Sequence, residues 1–182
     1  IRFNGTLDHP SIYRGPPSPE IDEAWQTIED GEVMKISEEE LIKSGFSTDS
    51  VKVPEELGGG YMASVEINHQ LHCLNFLRKA LHRDYYQFKT LEFTDHPQMV
   101  ETHLNHCIEM LRQSLMCHSD VGVMPHRWVK NYPNPYPDFN VLHKCRSFDE
   151  VLQWTVDQQI PIMPPGYQLK PQEGEKIWDS PP

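Results

Sequence analysis

No apolar run in this 182-residue chain approaches the ~18–20 residues needed to cross a bilayer, and hydrophobic residues make up only 37%. The chain as given is expected to be soluble, without a signal or membrane-spanning segment. It starts at Ile1 and not at Met, so an anchor or signal removed upstream stays open. Basic residues are scarce: 16 Lys+Arg face 27 Asp+Glu, a formal net charge of −11. That excludes the basic stripe a nucleic-acid or anionic-lipid surface would need. Cysteine is limited to 4 residues, an even number but no dense disulfide framework. Several catalytic signatures are missing too. Gly58-Gly59-Gly60 is followed by no Lys-Ser/Thr and reads as a flexible entry loop, not a phosphate cradle. There is no His-Glu-x-x-His of a zinc protease and no Cys-x-x-Cys-His for haem. No segment alternates clearly enough to be called a strand.

What is present is helical punctuation. Ser18 and Pro19 read as N-cap and first helical position, with Ile21, Ala24, Trp25 and Ile28 as one apolar stripe and Gly31 as the stop. Ser37 with Glu40 makes a capping box for a second short helix ending at Gly45. Glu38-Glu39-Glu40 then favours the positive end of its dipole. A long helix is predicted over roughly 62–82, with Val65, Leu71, Leu74, Leu77 and Leu81 apolar. A second runs from a cap at Thr94 or Asp95 through Pro97 to about Cys117, with Val100, Leu104, Ile108, Leu111 and Leu115 as its stripe. Residues 119–146, with Pro125, Pro133, Pro135 and Pro137, form a covering loop or lid. Ser147 and Glu150 open a last helix to about Gln158, and an extended tail follows with Pro161, Pro164, Pro165, Pro171, Pro181 and Pro182. The expected architecture is mainly α: two long helices, short helices and long Pro-rich connections, in one domain over residues 1–182.

The chemistry sits on the two long helices. His69-Gln70-Leu71-His72-Cys73 recurs as His103-Leu104-Asn105-His106-Cys107, a His-x-x-His-Cys pattern stated twice. Positions i, i+3 and i+4 share a helix face, so each copy projects two imidazoles and a thiol one way. Four such histidines repel one another when protonated, and a shared cation removes the conflict by using their lone pairs. His69, His72, His103 and His106 are therefore the leading metal ligands and catalytic candidates, with Cys73 and Cys107 beside them. Imidazole-rich coordination near sulfur suits copper; structural zinc is the plainer alternative. His118, His126 and His143 are further candidates as ligands or proton carriers, with Asp120 placed to orient His118. Level antiparallel helices that gathered all four imidazoles would hold the Cys73 and Cys107 backbones beyond disulfide range; a parallel or crossed pair would allow both. Cys117 and Cys145 are the other disulfide candidates, and no connectivity is chosen. Trp128, Tyr132 and Tyr136 line a substrate entrance or pack in the core. Asn4-Gly5-Thr6 is a glycosylation sequon, which with the cysteines leans toward a secretory compartment.

The doubled motif, the lead-in Gly59-Gly60-Tyr61-Met62, Pro16-Pro17-Ser18-Pro19-Glu20, the run from Leu111 to Asp120, and the run from His143 to Asp149 resemble the UstYa-like proteins of fungal secondary-metabolite clusters. The similarity spans roughly residues 12–155. It implies a copper-dependent oxidase carrying one or two coppers on His69, His72, His103 and His106, with molecular oxygen as co-substrate. The implied reaction is oxidative cross-linking of a ribosomally derived cyclic peptide or related metabolite. Halogenation or hydroxylation of a small molecule is the alternative outcome, and a non-catalytic metal-binding partner subunit the alternative role. The resemblance also implies a luminal catalytic domain in the ER or Golgi, tied in the full-length protein to a single N-terminal membrane helix. Homo-oligomers, or hetero-oligomers with a related subunit, belong to the same expectation.

Overall fold

Helix signals in the sequence mark most of the places where the backbone turns helical. The computed structural model describes residues 1–29, 33–163 and 166–180; Gly31, Pro164, Pro165, Pro181 and Pro182 lie outside the described residues. The chain is mainly helical, with six helices and a few small sheets among the described residues. In chain order these are α1 (Pro19–Glu29), β1 (Met34–Ile36), α2 (Glu38–Lys43), β2 (Tyr61–Ala63), α3 (Glu66–Ala80), α4 (Arg83–Tyr86), α5 (Pro97–His118), β3 (His126–Arg127), β4 (Tyr136–Pro137) and α6 (Phe148–Asp157). No helix among the described residues is long and apolar enough to cross a membrane.

The caps explain the boundaries. Ser18 Oγ accepts the Ile21 N–H at 3.3 Å to open α1. At α2, Glu40 N–H donates to Ser37 Oγ at 3.3 Å and Ser37 N–H donates to Glu40 Oε2 at 2.8 Å, the reciprocal capping box. The helix stops at Ser44, and Gly45 follows with φ +87°. The start of α5 differs from expectation. His96, not Thr94 or Asp95, is the N-cap: its Nδ1 accepts the Gln98 N–H at 3.4 Å, and Pro97 takes the first helical position. A ring nitrogen does here what a hydroxyl or carboxylate usually does.

The strands were invisible to pattern reading because each has only two or three residues, too few for alternation to register. Residues 61–63 therefore belong to β2, and α3 starts four residues later than periodicity suggests. The three glycines before it are a defined turn, with φ +104°, +63° and +86°. Gly60 passes so close to β1 that a Cβ would stand 2.7 Å from the Ile36 carbonyl oxygen.

Two compact units make up the chain: residues 1–27 with 70–148, and residues 28–69 with 149–182. In the second unit, β1 and β2 pair antiparallel with Lys35 opposite Met62. Single bridges extend this ribbon on both sides, Met34 with Gln159 and Lys52 with Tyr61. Val53, Leu57 and Ile160 form its buried cluster, flanked by Met62, Met163 and Tyr167.

The first unit holds α4, α5, most of α3 and the larger core: Cys73, Phe76, Tyr86, Phe93, Val100 and Cys107. The buried faces are rotated from the predicted stripes. Leu74, Leu81, Ile108 and Leu115 are exposed, while Cys73, Phe76, Val100 and Cys107 are sealed. The motif cysteines, not the leucines beside them, mark the inward side of each helix. Behind them Arg78 is clamped by Asp22 (2.8 Å), Asn75 (2.7 Å) and the Tyr86 hydroxyl (2.8 Å), with its guanidinium over the Trp25 and Tyr86 rings. Residues 119–146 carry no helix, as their prolines dictate. They are largely exposed through residue 135, and β3 and β4 pair within them with Arg127 opposite Tyr136.

Candidate metal centre

Three of the four motif histidines are neighbours within the first unit. The His72 ring of α3 lies 5.9 Å from the His103 ring of α5, centroid to centroid, and His103 lies 6.4 Å from His106. The Phe76 ring packs against His103 at 4.6 Å and against Phe93 at 5.2 Å, so an aromatic wall fixes one side of the imidazole. His72 and His103 are half-buried, and His106 is exposed. Burial, then the proximity of His72 and His106, holds the His103 imidazole below its ordinary pKa and therefore neutral at neutral pH. His69 stands one turn before His72 on α3 and is half-buried.

The cysteines point elsewhere. Cys73 and Cys107 are both fully buried, and their side chains are hydrogen-bonded to each other inside the core. Burial, reinforced by Cys73, pushes the Cys107 thiol up to about 12, which keeps it protonated at neutral pH. No disulfide joins any of the four cysteines; Cys117 and Cys145 are exposed. Among the described residues, no group of three or more His, Cys, Asp or Glu side chains is drawn close enough to hold a metal ion.

The fit to copper can be judged on the donors present. Two imidazoles bound to one ion at ~2.0–2.1 Å have ring centres roughly 5–6 Å apart. The His72–His103 spacing of 5.9 Å matches that, and His106, at 6.4 Å from His103, is the nearest third donor. A neutral imidazole supported from behind by aromatic packing, as His103 is, is donor chemistry that suits copper. The residues fit an imidazole-bound ion at the level of the pair, with the third ring just outside closure.

The remaining candidates are scattered. His118 ends α5, about 18 Å along the helix from His106, and its Nδ1 faces the Ser114 carbonyl at 2.9 Å. Asp120 does not orient His118; it meets His143 instead, Oδ2 to Nδ1 at 2.5 Å. The Gly122 N–H and then the His143 ring hold the Asp120 carboxyl below its ordinary range. Phe3 stacks on His143 at 3.8 Å. Neither Asp120–His143 nor His143–Phe3 was readable from spacing, since 23 and 140 residues separate the partners. His126 lies on β3 and is exposed. Trp128 is 80% exposed, which removes it from the core. Tyr132 is exposed and meets Tyr136 edge-on at 5.2 Å. Asn4 is exposed, and its Oδ1 accepts the Thr6 N–H at 3.3 Å.

Comparisons with known proteins complete the description. A family profile described as mycotoxin biosynthesis protein UstYa matches residues 1–158. The chain is similar to the UstYa family oxidase aprY of Aspergillus flavus, 33% identical over 170 residues, covering 87% of this chain and 51% of that protein. It is similar to the UstYa family oxidase phomYc of Diaporthe leptostromiformis, 34% identical over 154 residues, covering 82% and 60%. A third relative, phomYc' of the same fungus, is 34% identical over 152 residues, covering 82% and 53%. The chain spans between half and three-fifths of the length of these relatives. No solved structure matches it.

Proposed function

Because the chain belongs to the UstYa family, we propose that it is the catalytic region of a copper-dependent oxidase that forms oxidative cross-links in a ribosomally made peptide or a related fungal secondary metabolite. One observation supports the reading: the two copies of the motif, 34 residues apart, have His72, His103 and His106 as neighbours beside a buried aromatic core. These three would hold the ion, with His69 the remaining histidine of the pattern, one turn earlier on α3. Bound copper supplies one-electron chemistry with dioxygen that no side chain provides, enough to activate a C–H or phenol group.

The chain's own residues set the conditions for that chemistry. His103 is kept neutral by burial, so its lone pair is available to a metal at neutral pH. Phe76, itself packed on Phe93, holds its ring from behind. His106 is exposed, which leaves the opposite side open to an incoming substrate. The sealed Cys73–Cys107 contact joins α3 and α5 within the buried core.

The same reading places the region in the ER or Golgi lumen, held by an N-terminal membrane helix in the full-length protein and glycosylated at Asn4. A peptide or small-molecule substrate and assembly with a like or related subunit complete it. The test is copper titration joined to product analysis. His72→Ala and His103→Ala should lower copper affinity at least ~10-fold and abolish turnover. Wild-type product should lose two hydrogens per ring closure; gain of oxygen or chlorine would redirect the reading to hydroxylation or halogenation. Copper binding that is unchanged in both variants refutes the ligand assignment. Zinc retention without oxygen uptake in the presence of copper and reductant would make the chain a non-catalytic partner.

A further inference from the structure

A second site lies in the first unit, away from the imidazole cluster. Residues 1–3 run antiparallel to 141–143: Phe3 N–H donates to the Val141 carbonyl at 3.0 Å, and His143 N–H to the Ile1 carbonyl at 2.8 Å. This pairing lays the Phe3 ring flat on the His143 imidazole, at 3.8 Å and 20°. His143 Nδ1 is held by Asp120 Oδ2 at 2.5 Å, and the other Asp120 oxygen accepts the Gly122 N–H at 2.7 Å. The carboxylate is therefore engaged on both oxygens. It accepts the hydrogen bond of an Nδ1–H, and in that tautomer, assigned from the hydrogen-bond pattern, the ring's lone pair lies on Nε2.

The pair forms the polar end of a cavity of about 1180 Å³ whose apolar walls are Phe3, Leu7, Tyr13, Met124, Phe139 and Val141. Arg2 also reaches it, but its guanidinium donates to the Asn140 carbonyl at 2.7 Å. The walls come from distant segments that close backbone contact brings together. At Gly5 a Cβ would stand 2.2 Å from Phe139 Cβ, so only glycine lets the two walls meet. Three aromatic rings, a thioether and one oriented lone pair describe a site for a ring that also donates a hydrogen bond.

We propose that this cavity binds a neutral phenol-type ligand, with its ring among Phe3, Met124 and Phe139 and its hydroxyl donating to Nε2 of His143. Asp120 is the positioning residue: it fixes which imidazole nitrogen accepts. The site does not depend on copper. His118 stands about 18 Å along α5 from His106, and Asp120 follows two residues later.

The experiment uses metal-free protein, so its outcome is separate from that of the oxidase reading. 4-Methylphenol and 4-methylanisole, alike except for the hydroxyl proton, are titrated while the His143 ring carbon-bound protons are followed by NMR. Saturable shifts with 4-methylphenol, and about tenfold weaker binding of 4-methylanisole, are expected for one hydrogen bond. His143→Phe keeps a ring for Phe3 to stack on but removes the lone pair, and should erase the preference. Asp120→Asn can donate to Nδ1 and turn Nε2 into a donor; it should erase the preference while 4-methylanisole binding persists. Absence of saturable shifts, equal binding of both probes by the wild type, or an undiminished preference in either variant would overturn the proposal.

Discussion

Tyr86→Phe is the sharpest probe of the clamp behind the motif helices. The Tyr86 hydroxyl donates to Asp22 Oδ1 at 2.7 Å and accepts from Arg78 Nη1 at 2.8 Å, and the residue is 1% exposed. Both partners are charged, and such bonds are worth more than neutral ones. Arg78 keeps Asp22 and Asn75, and Asp22 is about a third exposed and rehydrates, so the loss is partial. A destabilisation of about 2 kcal/mol is expected, read in urea as a lower midpoint with unchanged slope. Asp22→Asn should cost a similar ~2 kcal/mol after discounting for its exposure, and the double variant should fall short of the sum by ~1 kcal/mol because one network is shared. The same hydroxyl gives a pH signature. Burial, then the bond to Asp22, pushes Tyr86 up to about 12, against ~10 for an unfolded tyrosine. Between those values the folded state holds a proton that the unfolded state has lost. Stability present below pH ~10 should therefore decline by roughly 2–3 kcal/mol as pH climbs through about 12. Absorbance near 295 nm should show a phenolate step near pH 12 in the folded wild type that Tyr86→Phe lacks. A variant within 0.5 kcal/mol of wild type, or strictly additive singles, would refute the clamp.

Two further outcomes follow from local geometry. Burial raises the Glu92 pKa, but the Lys79 ammonium at 2.9 Å, with hydrogen bonds from the Glu92 backbone and Thr90, outweighs it and the net shift is downward. A carboxyl depressed in the folded state contributes stability above its unfolded pKa near 4.3 and loses it as pH falls through the folded value. Lys79→Met should thus cost about 1 kcal/mol at neutral pH and flatten the decline in urea midpoint below pH 4.3; an unchanged acid limb would reject this. Gly60 and Gly45 make a controlled pair, with φ of +86° and +87°. Ala at Gly45 meets open space and pays only backbone strain, ~1 kcal/mol, whereas at Gly60 it also meets the Ile36 carbonyl at 2.7 Å. Gly60→Ala should cost ~1–2 kcal/mol more in the same denaturation assay, and equal losses would refute the close approach.

Helix existence was legible because its signals are local. Ser18-Pro19 and the Ser37/Glu40 box lie within one turn of what they cap, so neither needs the rest of the fold. What depends on tertiary contact was not legible. The His96 cap competes with two better formers beside it, and α5 begins where the chain leaves the Leu91–Phe93 turn. Leu74 and Leu115 look like core by hydropathy yet are exposed, because small buried thiols let Phe76, Phe93 and Val100 close over the inner faces. Sequence proximity pairs Asp120 with His118, whereas the turn after α5, with Ser119 at φ +34°, carries it to His143.

The doubled motif was legible as chemistry, and helical geometry accounts for how its members divide. At 100° per residue, the cysteine at i+4 sits ~40° from the first histidine and ~100° from the second. Once Cys107 occupies the centre of the buried face, His103 must fall on its flank and His106 near the rim. The observed order follows: Cys107 sealed, His103 half-buried and shifted toward neutrality, His106 exposed. Cys73, His69 and His72 repeat the arrangement on α3, where the thiol is sealed and both imidazoles are half-buried. A level ring of four histidines would require both cysteines to rotate away from the core, exchanging two buried thiols for solvent. The thiol contact therefore sets the rotation of each helix, and the imidazoles take up the positions that rotation leaves at the edge.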